Sequence, residues 1–458
     1  MSAPARVQAM RPTDIGAPGP SSLDMARAFR SVRADPLSFL VQVSERYGDT
    51  VAFPVPGAPA LLVNDPADVR HVLQTSARHW GKQTVQYASL ARVTGPGLLA
   101  SSEPSWIEHR RLAAPAFHHQ RLEAVGDQVR AAADAAVTAR LGGAFASGAV
   151  VDVAALTHRI GLDAVGRALF STDLSGQAQQ LLEATSRAAR LVVRAGRSIV
   201  PAPAWVPTPL NLRLRWTRRR LAAISSELIA QRRARLPAAG PHGDDLLGLL
   251  LDSDLTDGEI SDELVTMVIA GHETVAAALA WTLMLLAEHQ PAQDGVRAEL
   301  AGHPGPVPLL GHRDGLPWTR AVIDEALRLF PPAWALSRRS NRPDVIGGRE
   351  VPAGTLVIIS PWLLHRRGDT WPDPLAFRPE RFLDAGAGRS GYLPFGQGAR
   401  LCIGREFALG EMAVVLGRLL PAHRIDVPRD WRRPAAQADV AVHPRGGMPL
   451  VVTRVSRG

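Results

Sequence analysis

Residues 393 to 412, LPFGQGARLCIGREFALGEM, hold Cys402, the one cysteine among 458 residues. Glycines at 396, 398 and 404 surround it. A helical apolar pattern follows at once through Ile403, Phe407, Met412, Val415, Leu416 and Leu419, and Pro421 stops it. A thiol in a tight loop that opens a helix sits where backbone N–H groups and the helix dipole favour the thiolate. The plain alternative is a buried free cysteine, the usual fate of a lone one. A second chemical centre is Ala270-Gly271-His272-Glu273-Thr274. Ala270 and Gly271 remove side-chain bulk, which would let something large lie against the backbone. The Thr274 hydroxyl can bond back to the carbonyl of Ala270, four residues earlier, and Glu273 beside it is a candidate proton source. Thr274 could equally do no more than satisfy itself inside a core helix.

Two further pairs share helix faces. Trp106 and Arg110 stand four apart, a spacing that also suits a tryptophan packed on an arginine stem. Glu325 and Arg328 stand three apart on a segment that Pro331-Pro332 ends. Two other motifs fail on inspection. His272-Glu273 begins like a zinc-protease helix, but Ala276 stands where the second histidine is required. Gly386, Gly388 and Gly391 spell GxGxxG, yet they follow FRPERFLD rather than a strand, and Pro394 blocks the helix they should open.

The elements that must position these residues read mostly as helices. The longest runs from Thr256 to His289, with a capping-box spacing of Thr256 and Glu259 and a closing Pro291. At ~1.5 Å per residue it crosses roughly 50 Å, the width of a domain. Leu264 to Leu286 is apolar enough to raise the transmembrane question. His272, Glu273 and Thr274 in its middle make a buried central helix the better reading, with no membrane span. Residues 23 to 47 read as helix interrupted at Pro36, 51 to 66 as a hairpin and 67 to 76 as helix. Residues 79 to 105 are glycine-rich and read as a long functional loop. From 120 to 236 the pattern is helical, broken near Gly142–Gly148 and at Pro201, Pro203, Pro207 and Pro209. Arg213, Arg215, Arg218, Arg219 and Arg220 nearby read as a solvated face, or as a docking patch for an acidic substrate or carrier. Short β-like runs occupy 333 to 363, and a proline-rich stretch at 371 to 382 leads into the cysteine loop.

Composition sets outer bounds. With 46% hydrophobic and 21% charged residues, a sizeable core can be buried. Length alone suggests two or three domains. The net charge of +9 comes from arginine, and no zinc-finger or RNA-binding motif accompanies it, so no nucleic-acid partner is expected. One cysteine rules out an intrachain disulfide framework and suits a reducing cytoplasm. Residues 1 to 22 have no apolar stretch of signal-peptide type and read as a disordered tail.

Taken together, these motifs resemble one family, the haem-thiolate monooxygenases called cytochromes P450. Phe395-x-x-Gly398-x-Arg400-x-Cys402-x-Gly404 is similar to its haem-binding signature, and Ala270 to Thr274 to its oxygen-activation motif. Glu325-x-x-Arg328 resembles its helix pair, and Phe377-Arg378-Pro379-Glu380-Arg381-Phe382 the segment that completes that pair. Trp106-x-x-x-Arg110 resembles its early propionate-binding motif. The resemblance covers roughly residues 23 to 455. It implies a mainly α fold with small β-sheets, a triangular helix-rich lobe and a smaller β-rich lobe around one buried haem. It also implies a single catalytic domain over 23–458.

By matching position, the resemblance makes Cys402 the axial ligand of haem b (iron protoporphyrin IX), where a thiolate favours O–O cleavage. Arg400, Arg110 and Arg338, with the Trp106 indole, would bind the propionates, and Phe395 would pack near the sulfur. Gly398, Ala270 and Gly271 would admit the cofactor. Glu325, Arg328 and Arg381 would form a structural charge network. Thr274 and Glu273 would deliver protons on the opposite haem face. The pocket would be walled by Met267, Ala333, Trp334, Ala335, Leu336 and Met448. These residues suit an apolar small molecule such as a terpenoid, fatty acyl or polyketide-like compound. The expected partners are O2 and an external ferredoxin- or flavodoxin-type electron donor, serving a cytoplasmic monomer. The competing functions are a peroxide-driven peroxygenase on the same scaffold and a haem-based sensor.

Overall fold

Prolines and capping side chains set many of the helix boundaries. The computed structural model describes residues 15–55, 59–141, 148–170, 176–196, 203, 205–235, 245–310, 315–384 and 390–455. Helix α1 (Ser22–Ala34) starts on a Ser21–Asp24 capping box, and α2 (Pro36–Tyr47) restarts with Pro36 in its first turn, where a missing N–H costs little. Strands β1 (Thr50–Phe53) and β2 (Ala60–Val63) form the expected antiparallel hairpin. Next come α3 (Pro66–Arg70), β3 (Trp80–Gly81), α4 (Val85–Thr94), α5 (Ser105–Ala113) and α6 (His119–Leu141). They lead to β4 (Ala149–Asp152), α7 (Val153–Phe170), α8 (Gly176–Gly196), α9 (Pro209–Arg235) and α10 (Leu246–Leu251). The centre of the chain holds α11 (Asp257–Glu288), α12 (Gln290–Gly302) and α13 (Pro317–Leu329). Strands β5 (Leu336–Ser340), β6 (Asp344–Ile346), β7 (Arg349–Val351) and β8 (Leu356–Ile359) precede α14 (Pro361–Leu364) and α15 (Arg405–Leu419). The chain ends in β9 (His423–Asp426), β10 (Ala436–Ala438), β11 (Val442–Pro444) and β12 (Pro449–Arg454).

These elements form two compact units. The smaller combines the residues up to Gln86 with Trp334–Pro374 and Arg389–Leu401. Its sheet has the order β1-β2-β8-β5-β3, parallel only between β2 and β8. Both faces are covered, so β2 is buried throughout rather than alternating. Leu61 and Val63 pack with Val357, Ile359, Trp80 and Leu393, while Leu62 packs with Val51, Phe53 and Leu40 and Val43 of α2.

The larger unit is built around α11, which packs on α7, α9 and α13. Thr256 caps α11 and bonds reciprocally with Glu259, as its spacing predicts. Its apolar window could cross a bilayer by length and hydropathy, but 83% of that window is buried in protein. Trp281 stacks on Phe330 with ring centroids 4.0 Å apart, a contact worth about 0.5–1.5 kcal/mol beyond area burial. A sheet of order β4-β12-β9 and a β10-β11 hairpin complete the unit.

Three expectations are corrected. Residues 79 to 105 are not one long loop. They contain α4, whose Tyr87, Leu90, Val93 and Thr94 are buried at helical spacing, while Gly81, Gly95 and Gly97 fall outside it. The expected tail over 1 to 22 is ordered from Ile15. That side chain joins the sheet core, and the Pro18 carbonyl accepts from the Ala52 amide at 2.8 Å. Residues 1 to 14 lie outside the described residues, as do Gly386 and Gly388 of the GxGxxG string, Pro201 and most of the Gly142–Gly148 break. Met448, expected on a pocket wall, is 0% exposed. Its amide donates to Asp152 and its carbonyl accepts from Val153, which turns the side chain into the core.

Candidate active site

In the smaller unit, the loop before Cys402 is fixed by backbone geometry. The Leu393 amide donates to Nε2 of the buried His365 at 2.8 Å, and the Gly396 amide closes a turn on the Leu393 carbonyl at 3.1 Å. Gly396 and Gly398 have φ of 71° and 72°, a region that admits glycine without strain. A Cβ on Gly398 would also overlap the Leu73 carbonyl oxygen, so this glycine answers a close backbone approach. Arg400 ends the short 3-10 turn that Gly398 begins, and Phe395 is half-buried. On β5, Arg338 is buried and donates to the Ser337 carbonyl at 2.9 Å, while the alternate Arg339 is half-exposed. Trp334, Ala335 and Leu336 are half-buried beside it in the chain, and the Trp334 carbonyl accepts from Ser360.

In the larger unit, Cys402 is exposed two residues before Gly404, the N-cap of α15. Trp106 is buried on α5, and Arg110 lies one turn on. Burial pulls the Arg110 guanidinium down from its ordinary value, while the Cys402 sulfur acts in the opposite direction. Residues nearly 300 apart in sequence, by roughly the numbering difference, are thus in electrostatic reach.

From Glu263 to Ala287, α11 is buried at every position except Ala270, Gly271 and Thr274. That opening coincides with the residues singled out by their types. Thr274 donates to the Ala270 carbonyl at 2.7 Å, as expected, and the helix runs on unbroken. Gly271 has a further reason: a Cβ there would lie 2.9 Å from Cγ2 of Val165, so its bareness admits α7. Met267, one turn earlier, is buried.

Glu273 is not isolated. Its Oε2 pairs with Nε2 of His443 on β11 at 3.0 Å, and its Oε1 lies 3.5 Å from Nε2 of His272. Burial pushes the Glu273 carboxyl up. The hydrogen bond from His443 leads the opposing effects, which outweigh burial and hold the group below its ordinary value. Sequence reasoning missed His443 and His158, because no local pattern ties β11 or α7 to the middle of α11.

The charge network is fully formed. Glu325 Oε2 accepts from Arg328 Nε at 2.7 Å, and its Oε1 accepts from Arg328 Nη2 at 2.8 Å. The same Oε1 takes Arg381 Nε at 3.1 Å and the Arg378 amide at 2.9 Å. Arg328 also donates to the Ala376 carbonyl at 3.1 Å. Both Glu325 and Arg328 side chains are 0% exposed, so these bonds replace water altogether.

The single cysteine just before a helix start, a guanidinium in its electrostatic reach and an opened window on an apolar helix suit a thiolate-ligated iron porphyrin. The soft sulfur is a donor for iron, and forked arginines suit carboxylate-bearing propionates. The fold and these residues define a haem-thiolate oxygenase. The cytochrome P450 family model matches residues 19–451, and the chain belongs to that family. It is 32% identical to cyclooctat-9-en-7-ol 5-monooxygenase of Streptomyces melanosporofaciens, over 91% of this chain and 90% of that protein. It is likewise 32% identical to pentalenene oxygenase of Streptomyces avermitilis, over 90% and 91% of the two chains. Among solved structures, CYP175A1 from Thermus thermophilus aligns with a TM-score of 0.77 at 30% identity, over 95% of this chain and all of that one. The chain is therefore a monooxygenase with a haem iron, using O2, an apolar substrate and a redox partner.

Proposed function

We propose that this P450 hydroxylates a terpenoid, with haem b held by Cys402 and electrons taken from a separate ferredoxin- or flavodoxin-type donor. The opening on α11 at Ala270, Gly271 and Thr274 carries this reading, because it is the one break in an otherwise buried run. Two relatives named for oxidising cyclooctat-9-en-7-ol and pentalenene support the substrate class. The half-buried Ala333, Trp334, Ala335 and Leu336 would supply apolar wall. Arg400, Arg338, Arg110 and Trp106 would hold the propionates, and Phe395 would shield the sulfur. Residues 23–458 would act as one catalytic domain, in a cytoplasmic monomer.

Haem, when bound, would supply oxygen activation. The protein's part is to place and move protons. Thr274 spends its hydroxyl hydrogen on the Ala270 carbonyl, which leaves its oxygen lone pairs to hold a water in the opening. Glu273 is kept ionised, so it serves as a relay that accepts a proton from the His443 side and passes it on. The test is Thr274→Ala with a terpene that gives a spin-state shift. The variant should bind haem and substrate as before, yet release hydrogen peroxide in place of product. Full coupling of oxygen to product in the variant would refute the proton-delivery role.

A further inference from the structure

Three ligating side chains converge where α7 crosses α11. Among the described residues, His158, His272 and Glu273 are the group of three whose ligand atoms all lie within 4.8 Å of one another. The crossing is close. Thr157 donates to the Ala276 carbonyl at 2.9 Å, and Gly161 brings α7 so close that a Cβ there would sit 3.2 Å from the His272 carbonyl oxygen. His158, next to Thr157, is thereby held edge-on to His272, with ring centroids 4.9 Å apart at 70°.

The hydrogen bonding at His272 fixes which nitrogen is available. Its Nδ1 lies 2.9 Å from the Val268 carbonyl, and a carbonyl only accepts, so Nδ1 carries the proton. In the neutral ring Nε2 then presents a lone pair. That atom is buried without a hydrogen-bond partner and faces Glu273 Oε1 at 3.5 Å. Two acceptors confront each other away from water, an arrangement that calls for a positive charge between them. Burial also favours the neutral imidazole at His272, and neutral imidazole is the form that ligates metals.

We propose that His272 Nε2, His158 and Glu273 Oε1 form a binding site for a divalent transition cation, Zn2+ in the first instance. Ligand bonds of ~2.0–2.1 Å in a tetrahedron put donor atoms roughly 3.4 Å apart, which the His272–Glu273 separation already meets. His158 is half-buried, so its ring can shift to close the remaining gap. The Val268 carbonyl and His443 supply outer partners, orienting the His272 ring and the Glu273 carboxylate as second contacts do in metal sites. His443 is 27% exposed, which gives the cation a way in and leaves room for water as fourth ligand. Two imidazoles and one carboxylate suit Zn2+ better than Mg2+ or Ca2+, which prefer oxygen alone. Occupancy would take Glu273 out of proton transfer. That consequence rests on the proposed role of Glu273, but binding itself does not.

The test is equilibrium dialysis of chelator-washed holoenzyme against Zn2+, with metal analysis and X-ray absorption at the zinc edge. The wild type should retain one zinc per chain in a nitrogen and oxygen shell. His158→Ala and His158→Gln should each weaken retention by more than tenfold, with an unchanged haem spectrum as proof of folding. Half-buried His158 is chosen because it can be replaced without opening the core. The proposal is overturned if the wild type holds no more zinc than these variants, or if the zinc shell contains sulfur. Since the readout is metal content, a coupled Thr274→Ala enzyme would leave this result untouched.

Discussion

Glu325→Gln is the most direct probe of what ties α13 to residues 376–381. The substitution keeps shape and volume, so no cavity cost enters. It removes one negative charge from a carboxylate that takes four donated hydrogen bonds, three from guanidinium nitrogens and one from an amide. The new amide –NH2 would have to face the Arg328 Nε–H or Nη2–H, donor against donor. Arg328, 0% exposed, would keep its charge without a carboxylate. Breaking one side of a buried pair costs about 3–5 kcal/mol, a large share of the 5–15 kcal/mol that typically separates folded from unfolded protein. We expect denaturant unfolding of the haem-loaded variant to show that loss, with lower haem incorporation on expression. Adding Arg328→Met should restore part of it, because the double variant no longer buries the Arg328 charge, while Arg381, 10% exposed, still lacks the carboxylate. The cycle of two single variants and the double should therefore show a coupling of up to about 3 kcal/mol. A loss below about 1 kcal/mol for Glu325→Gln, or additivity within about 0.5 kcal/mol, would refute the network as a structural anchor.

Three other perturbations test separate features. Gly398→Ala puts a Cβ at positive φ and into the Leu73 carbonyl; it should lose at least about 1–2 kcal/mol and much of its haem, read by unfolding and haem content per protein. Glu411 on α15 is buried with neither oxygen bonded, and burial pushes its carboxyl well above the ordinary 4.5. The folded state thus holds a proton that the unfolded chain releases, so stability falls as pH rises above the ordinary carboxylate value. Glu411→Gln should flatten that slope and gain on the wild type at about pH 8, measured by urea unfolding; an unchanged slope would count against it. His109 Nδ1 lies 2.6 Å from the buried Glu263, and that hydrogen bond raises the imidazole above its ordinary 6.5 against the pull of burial. Its contribution is whole below that value and lost as pH rises through the raised one, so His109→Gln should destabilise most near pH 6. Equal losses at about pH 6 and pH 9 would contradict the linkage.

The chemistry was legible wherever it is local in the chain. The Thr274 back-bond, the Thr256 cap and the Glu325–Arg328 pair each depend on residues within a turn or two, and the structure contains each. What the sequence hides is contact between distant segments. His443 reaches Glu273 from a β-hairpin, and Gly271 is bare because α7 needs the space. Met448, expected on a pocket wall, is instead fully buried, with its backbone bonded to Asp152 and Val153 some 300 residues earlier by roughly the numbering difference. Helix α4 was overlooked for a different reason. The glycines at 81, 95 and 97 bracket a helix whose buried face carries Tyr87, Ser89 and Thr94 among its apolar residues, and that composition masks its period.

The sheet of the smaller unit has a consequence for biosynthesis. Strand β2 pairs in parallel with β8, Ala60 beside Leu356 and Val63 beside Ile359. At ribosomal speeds of about 5–20 residues per second, β2 waits roughly 15–60 s before its partner exists. During that wait the ALLV segment, wholly buried in the finished protein, shows water and other chains a bare hydrophobic edge. Yield in a foreign host should then depend less on final stability than on how well that edge is shielded, by slower induction, lower temperature or a holding chaperone.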